Sequence, residues 1–317
     1  MSTRSEAPAA QVTPSLLRDW PLPSAGEDKY SRGAVLVIGG ARSTPGAALL
    51  AGRAALRAGA GKLTLAVAES VAVQLAVALP EAGVTGLPET AEGSMRASGL
   101  ERIAPALESA DVLLIGPGLD DVDLAVELLR ALLGNEAAGG SDGASGSDGG
   151  ASGGGRGATI VLDAYALGAL PKIKSELTPW RGRLILTPNP TEAEILLGRD
   201  LANLEDDVAE IADTYQAVVS CQGCIARPAG SKAPEDPERW QITTGFGGLG
   251  TSGSGDILAG AIAGLRARGA TDAQAACWGT HLHAAAADRL ASRMGPLGFL
   301  AHELADELPA LMMELNT

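Results

Sequence analysis

The chain reads as an α/β protein whose central, mostly parallel sheet carries helices on both faces. Short apolar runs bounded by Gly, Asp or Pro alternate along it with Ala/Leu-rich stretches of helical length. Its hydrophobic residues, 46% of 317, are chiefly Ala, Val, Leu and Ile, and only 3% of the chain is aromatic. That composition suits buried parallel strands packed between small-residue helices.

Taken in order, strands are expected at Ala34 to Ile38, Leu63 to Val67, Asp111 to Ile115, Thr159 to Asp163, Leu184 to Thr187 and Ala217 to Ser220. Each is a short apolar run, as in a strand covered on both faces. Helices are expected at Gly46 to Ala58, Asp120 to Leu133 and Glu192 to Leu197, then through the last third at Asp256 to Arg268, Thr271 to Arg293 and Leu300 to Leu315. Within the helix from Asp256, residues Ile257, Leu258, Ala261, Ile262 and Leu265 form one apolar stripe. That stripe lays the helix on the sheet and aims its N-terminus at the strand ends.

Residues 28–317 are expected to form a single domain after a loosely held tail over residues 1–27. From Gly134 to Gly157 the sequence is almost wholly Gly, Ser, Ala and Asp. Such a segment buries too little apolar surface to pack, and is expected as a disordered surface insert.

The net charge of −14 excludes a non-specific nucleic-acid binder, which needs clustered Lys and Arg. An anionic ligand must then be held by local dipoles. Residues 1–27 carry no targeting pattern, and no apolar stretch nears the roughly 20 residues that span a bilayer. A cytoplasmic protein without membrane attachment is expected.

The chemistry gathers at Gly247-Gly-Leu-Gly-Thr-Ser-Gly-Ser-Gly-Asp256, which runs directly into the amphipathic helix. Glycines let successive backbone N–H groups converge on an anion at the positive end of a helix dipole. Gly248-x-Gly250-x-x-Gly253 has dinucleotide-fingerprint spacing but lies four-fifths of the way along the chain, not at a first βαβ unit. No Walker-type G-x-x-x-x-G-K-[ST] is present. Asp256, at the helix start, suits either an N-cap or a general acid/base.

Other candidates are weaker. Asp163 ends a strand at the ligand face, where a catalytic and a loop-bracing role are equally compatible with its position. Two of the three cysteines form Cys221-Gln-Gly-Cys224, a redox pair, half a metal site or simply thiols at a strand end. His281 and His283, conceivable as distant extra ligands to that pair, fall on different faces of an Ala-rich helix, where at least one is expected to pack or face solvent.

Several stretches resemble the ADP/ATP-dependent NAD(P)H-hydrate dehydratases, a branch of the ribokinase-like superfamily that repairs hydrated nicotinamide cofactors. They are Gly33-Ala-Val-Leu-Val-Ile-Gly-Gly40, the specific run from Pro45-Gly-Ala-Ala-Leu-Leu-Ala-Gly-Arg to Leu65, Ile115-Gly-Pro-Gly-Leu119, Val161-Leu-Asp-Ala164, Leu186-Thr-Pro-Asn-Pro190 and Gly253-Ser-Gly-Asp-Ile-Leu-Ala-Gly260. The resemblance implies a ribokinase-like fold and the catalytic carboxylate at Asp256. It also implies nucleotide contacts at Thr251, Gly253, Ser254 and Gly255, and hydrate contacts at Ala47, Gly118, Asn189 and Asp256. ADP or ATP, with Mg²⁺ on its phosphates, would phosphorylate the hydrate's hydroxyl, and loss of phosphate would regenerate NADH or NADPH. A homotetramer is implied as well.

The chain departs from the family where a substrate-contacting His becomes Asn189, and where a nucleotide-contacting Lys falls near Cys221. Asn donates a hydrogen bond but carries no charge. Asn189-x-x-Glu192 resembles the metal-positioning motif of related sugar and vitamin kinases, with Glu192 holding Mg²⁺ through water, and is equally a helix cap. A small-molecule kinase and a non-catalytic nucleotide binder are therefore the competing expectations.

Overall fold

The computed structural model describes residues 8–24, 28–139, 157–231, 237–245 and 247–315. Its strands are β1 (Ala10–Val12), β2 (Ala34–Ile38), β3 (Lys62–Ala68), β4 (Gly83–Leu87), β5 (Val112–Ile115), β6 (Thr159–Leu162), β7 (Leu184–Leu186), β8 (Ala217–Cys221), β9 (Cys224–Ala226) and β10 (Arg239–Ile242). The helices are α1 (Pro14–Asp19), α2 (Pro45–Arg57), α3 (Ala72–Ala78), α4 (Ala104–Ser109), α5 (Val122–Gly139) and α6 (Tyr165–Ile173). After them come α7 (Pro190–Leu197), α8 (Leu204–Tyr215), α9 (Ser254–Ala267), α10 (Asp272–Met294) and α11 (Ala301–Glu314).

All ten strands form one sheet, in the order β1-β10-β9-β8-β7-β6-β5-β2-β3-β4. From β4 through β8 every neighbouring pair is parallel. Beyond β8 the chain doubles back, with β9 antiparallel to β8 and β10, and β1 parallel to β10. The side chains of β2 alternate between two cores, as a period of two requires: Val35 and Val37 face one, Leu36 and Ile38 the other. The first core also contains Ala51 of α2, Ile262 of α9, Leu282 of α10 and Leu304 of α11. The second contains Leu129 of α5, Leu170 of α6 and Ile211 of α8.

This division fixes where a ligand can sit. Strand β2 leads to α2 on one face, whereas its neighbour β5 leads to α5 on the other. Open α/β sheets form their crevice at such a switch point, outside the carboxyl ends of the strands.

Glycines set the second positioning device. A Cβ on Gly260 or Gly264 of α9 would lie 2.1 Å from the Ala51 carbonyl oxygen or 2.3 Å from that of Ala55 on α2. The two helices therefore touch backbone to backbone, and α2 sets where the N-terminus of α9 points.

The N-terminal expectation needs correction. Residues 8–24 belong to the domain: β1 pairs with β10, Leu17 is fully buried, and Trp20 stacks on Trp240 with ring centroids 6.1 Å apart. Its carbonyl also accepts the Trp278 indole N–H at 3.0 Å. A three-residue strand whose partner lies over two hundred residues away leaves no local signature. Helix α5 continues past Leu133 to Gly139, into the stretch read as insert, and residues 140–156 of that stretch lie outside the described residues. Among the described residues no helix is long and apolar enough to cross a membrane.

Candidate active site

The carboxyl ends of β2, β5, β6, β7 and β8 share one edge of the sheet, and the N-terminus of α9 meets them there. At the switch point the loops after β2 and β5 interlock. Gly40 N–H donates to the Pro117 carbonyl at 2.8 Å, Ala41 N–H to that of Gly118 at 2.8 Å, and the Thr44 hydroxyl to the same Gly118 carbonyl at 2.9 Å. Gly118 adopts φ +72°, and a Cβ added there would lie 2.4 Å from the Thr44 carbonyl oxygen and 3.0 Å from Ala47 Cβ. Ala47 and Gly118 thus adjoin in the crevice, both half-buried.

Thr251 to Asp256 form the opposite wall. Gly253 takes the left-handed conformation that glycine tolerates (φ +87°) and supplies no side-chain cap to α9. By contrast, α7, α8 and α10 are capped by Asn189, Asn203 and Thr271. Among the described residues, the first N–H groups of α9 thus lack a side-chain acceptor at the positive end of a 14-residue helix. Gly255 is exposed, and among the described residues nothing lies within 4 Å of where its Cβ would be. Ser254 is buried, with its hydroxyl 3.2 Å from Nε2 of the buried His283.

Asp256 lies in the first turn of α9 but does not cap it, since Gly253 holds the cap position. Among the described residues nothing hydrogen-bonds its carboxylate, and burial pushes its pKa up to about 6. Asp163, immediately after β6, is 6% exposed and accepts a hydrogen bond from the Thr187 hydroxyl at 2.9 Å. The next residue, Ala164, has φ 50° and ψ −129°. A Cβ-bearing residue pays strain there, and such strain concentrates at functional positions. Burial pushes the Asp163 pKa up to about 7, and the charges of Asp256 and Glu192 add to the rise.

Asp163 therefore binds its proton more tightly when the chain is folded. Between about pH 4 and pH 7 the folded chain holds more protons than the unfolded one. The associated stability is intact below the ordinary carboxylate range and is lost as pH rises through about 7. Asp163→Asn, which keeps an acceptor for Thr187, should raise stability near pH 8 by on the order of 2 kcal/mol and flatten the pH dependence. Thermal melts from about pH 5 to about pH 8 measure this. A slope equal to that of the unsubstituted chain would assign the effect elsewhere.

Asn189 and Glu192 form a reciprocal capping box on α7: Glu192 N–H donates to Asn189 Oδ1 at 2.9 Å, and Asn189 N–H to Glu192 Oε2 at 2.9 Å. Among the described residues, the side-chain amide nitrogen of the exposed Asn189 and the second oxygen of the half-buried Glu192 have no hydrogen-bond partner. Cys221 and Cys224 face each other across the β8–β9 hairpin, and all three cysteines are free and buried. Burial pushes the Cys221 thiol up to about 12 and that of Cys224 to about 11. Such protonated, enclosed thiols are inert, which favours the strand-end reading. No group of three His, Cys, Asp or Glu among the described residues is arranged to hold a metal ion by itself.

Sheet order, switch-point crevice and glycine-fronted helix define a ribokinase-like α/β protein. A crystallised ribokinase-like superfamily protein of Enterococcus faecalis superposes on it with a TM-score of 0.75 over 97% of this chain and 96% of that one, at 22% identity. The chain belongs to the NAD(P)H-hydrate dehydratase family, whose model matches residues 35–310. It is 40% identical to the ADP-dependent (S)-NAD(P)H-hydrate dehydratase of Xanthomonas campestris over 96% of both chains. It is also 36% identical to a bifunctional NAD(P)H-hydrate repair enzyme of Moorella thermoacetica, of which it spans 50%. The Bacillus subtilis ADP/ATP-dependent NAD(P)H-hydrate dehydratase, co-crystallised with ATP/Mg²⁺, superposes with a TM-score of 0.70 over 97% of this chain and 99% of that one, at 27% identity.

Proposed function

We propose that this protein is a nucleotide-dependent lyase that dehydrates hydrated NADH and NADPH back to the working cofactors. The observation that carries the reading is the placement of Asp256. A carboxylate free of hydrogen bonds from the described residues sits in the first turn of an uncapped helix, opposite the crevice where Ala47 meets Gly118.

In this reading the terminal phosphate of ADP or ATP lies against the N–H groups between Thr251 and Gly255, and the hydrated ring lies in the β2–β5 crevice against Ala47 and Gly118, within reach of the Asn189 amide. Asp256 takes the proton from the ring hydroxyl as its oxygen attacks the terminal phosphorus. The shortened nucleotide leaves, its new charge stabilised by the helix N-terminus. The hydroxyl has become a phosphate ester, and its departure as phosphate, with loss of a proton from the adjacent ring carbon, restores the double bond. Asp256 is mostly ionised at neutral pH and so serves as the base.

Asp163, Glu192 and Asp256 all have raised pKa values, the charges of Asp256 and Glu192 reach Asp163, and no cation among the described residues offsets the rise. That donor set suits Mg²⁺ arriving on the nucleotide, with Glu192 holding it through water, better than a resident ion. Such an ion would screen the phosphate charge. A cytoplasmic location and a homotetrameric assembly belong to the same proposal.

The test is recovery of reduced-nicotinamide absorbance from the hydrate. ADP or ATP with Mg²⁺ should restore it, and nucleotide should be consumed only when hydrate is present. No recovery with either nucleotide would sink the reading, and a stable phosphorylated product from a sugar or vitamin alcohol would replace it with a kinase.

A further inference from the structure

One face of α10 contacts the end of β8, the start of α9 and the segment after β10. The Thr280 hydroxyl lies 2.8 Å from that of Ser220 near the end of β8, and both are buried. One turn on, His283 Nε2 lies 3.2 Å from the Ser254 hydroxyl at the start of α9. Two turns after Thr280, Asp288 Oδ2 accepts the Gly245 N–H at 2.8 Å, in the segment after β10. Between these contacts the helix approaches the same segment closely: a Cβ on Gly245 would lie 2.9 Å from Ala284 Cβ. Residues 280, 284 and 288 recur at helical spacing, with 283 on the flank of the same face.

His283 is the member of this row that touches the anion nest itself. It is 5% exposed, and Ser254 is equally enclosed at 5%. Burial pushes the imidazole down to about 4 and keeps it neutral at physiological pH. The contact is therefore a neutral hydrogen bond that adds no positive charge to the nest. Its effect is geometric: it fixes the Ser254 side chain, and with it the first turn of α9.

We propose that His283 is a positioning residue for the nucleotide, acting through Ser254 to hold the first turn of α9 in the geometry that receives the terminal phosphate. This rests on the nucleotide-dependent reading above.

The experiment is ADP binding with Mg²⁺ by calorimetry, paired with KM and kcat for the nucleotide in the hydrate assay. Loss of one neutral hydrogen bond predicts that His283→Met, which keeps bulk without the bond, weakens ADP binding about five- to tenfold. The nucleotide KM should rise by the same factor, with kcat changed far less. His283→Gln, whose amide reaches where Nε2 lies, should restore most of the affinity. Ser254→Ala removes the hydroxyl but leaves the contact of the imidazole with the Ser254 backbone, so it should weaken binding no more than His283→Met does, and the double variant should be no worse than His283→Met alone.

Multiplying losses in the double variant, or unchanged affinity in His283→Met, would overturn the proposal. So would a loss in His283→Gln as large as that in His283→Met. Absence of ADP binding by the unsubstituted chain would instead overturn the functional reading, so the two failures are distinguishable.

Discussion

Asp256→Asn is expected to abolish recovery of reduced nicotinamide from the hydrate, lowering kcat by about a thousandfold or more while the fold and nucleotide binding survive. Asparagine matches the carboxylate in shape, and nothing among the described residues hydrogen-bonds that carboxylate, so no structural contact is broken. What disappears is the group that accepts the hydroxyl proton. Because burial holds the Asp256 pKa at about 6, kcat/KM of the unsubstituted enzyme should fall below that pH as the base becomes protonated. The residual activity of the Asn variant should lose that acidic limb. A variant retaining more than a tenth of the native rate, with the limb intact, would mean that another group takes the proton. Asp163 would be the first to examine, since it lies close enough for the two charges to interact.

The parts of this fold legible in the sequence are those whose physics is local. Strands β2, β3, β5, β6, β7 and β8 are covered on both faces and so appear as apolar runs. The α9 stripe and its glycine prelude disclose a helix aimed at an anion, and Asp256 follows from their junction. Strands β1, β9 and β10 escape because they are three or four residues long and pair outside the parallel run. Strand β4 escapes because Gly83-Val-Thr-Gly-Leu87 at the sheet edge has no continuous apolar run.

The same limit holds within the site. No preference of alanine announces the positive φ of Ala164, which tertiary packing around the Gly116 backbone imposes: a Cβ on Gly116 would lie 1.8 Å from the Asp163 carbonyl oxygen. His283 reads as packing because an Ala-rich helix buries it whether or not a hydroxyl waits across the interface. Asn189 and Glu192 were open to two readings because the spacing of a capping box is also that of a ligand pair, and the structure shows the box.

Two alanine substitutions about 7.5 Å apart in rise along one helix, Gly255→Ala and Gly260→Ala, should have opposite effects on stability while both impair the site. Among the described residues nothing lies within 4 Å of a Cβ on Gly255, and alanine is a better helix former by about 1 kcal/mol. The Gly255→Ala chain should therefore melt at or slightly above the native temperature. In the proposed function, however, the added methyl stands where the terminal phosphate approaches the backbone, and ADP affinity should fall at least about tenfold, the cost of a lost charge-assisted hydrogen bond. Gly260→Ala meets a different obstacle. Its Cβ would lie 2.1 Å from the Ala51 carbonyl oxygen, a backbone atom of α2 that no side-chain rotation can move. The helices must separate, which costs about 3 kcal/mol as overpacking of a close core contact. Ala47 lies on α2 and the nest begins α9, so separation also moves the two walls of the site relative to each other. A shift of about 1 Å costs about a hundredfold in rate where geometry carries catalysis. Melting curves and ADP titrations on both variants decide the matter. Equal melting temperatures would mean that the α2–α9 contact relaxes freely, and native ADP affinity in Gly255→Ala would place the phosphate away from the N-terminus of α9.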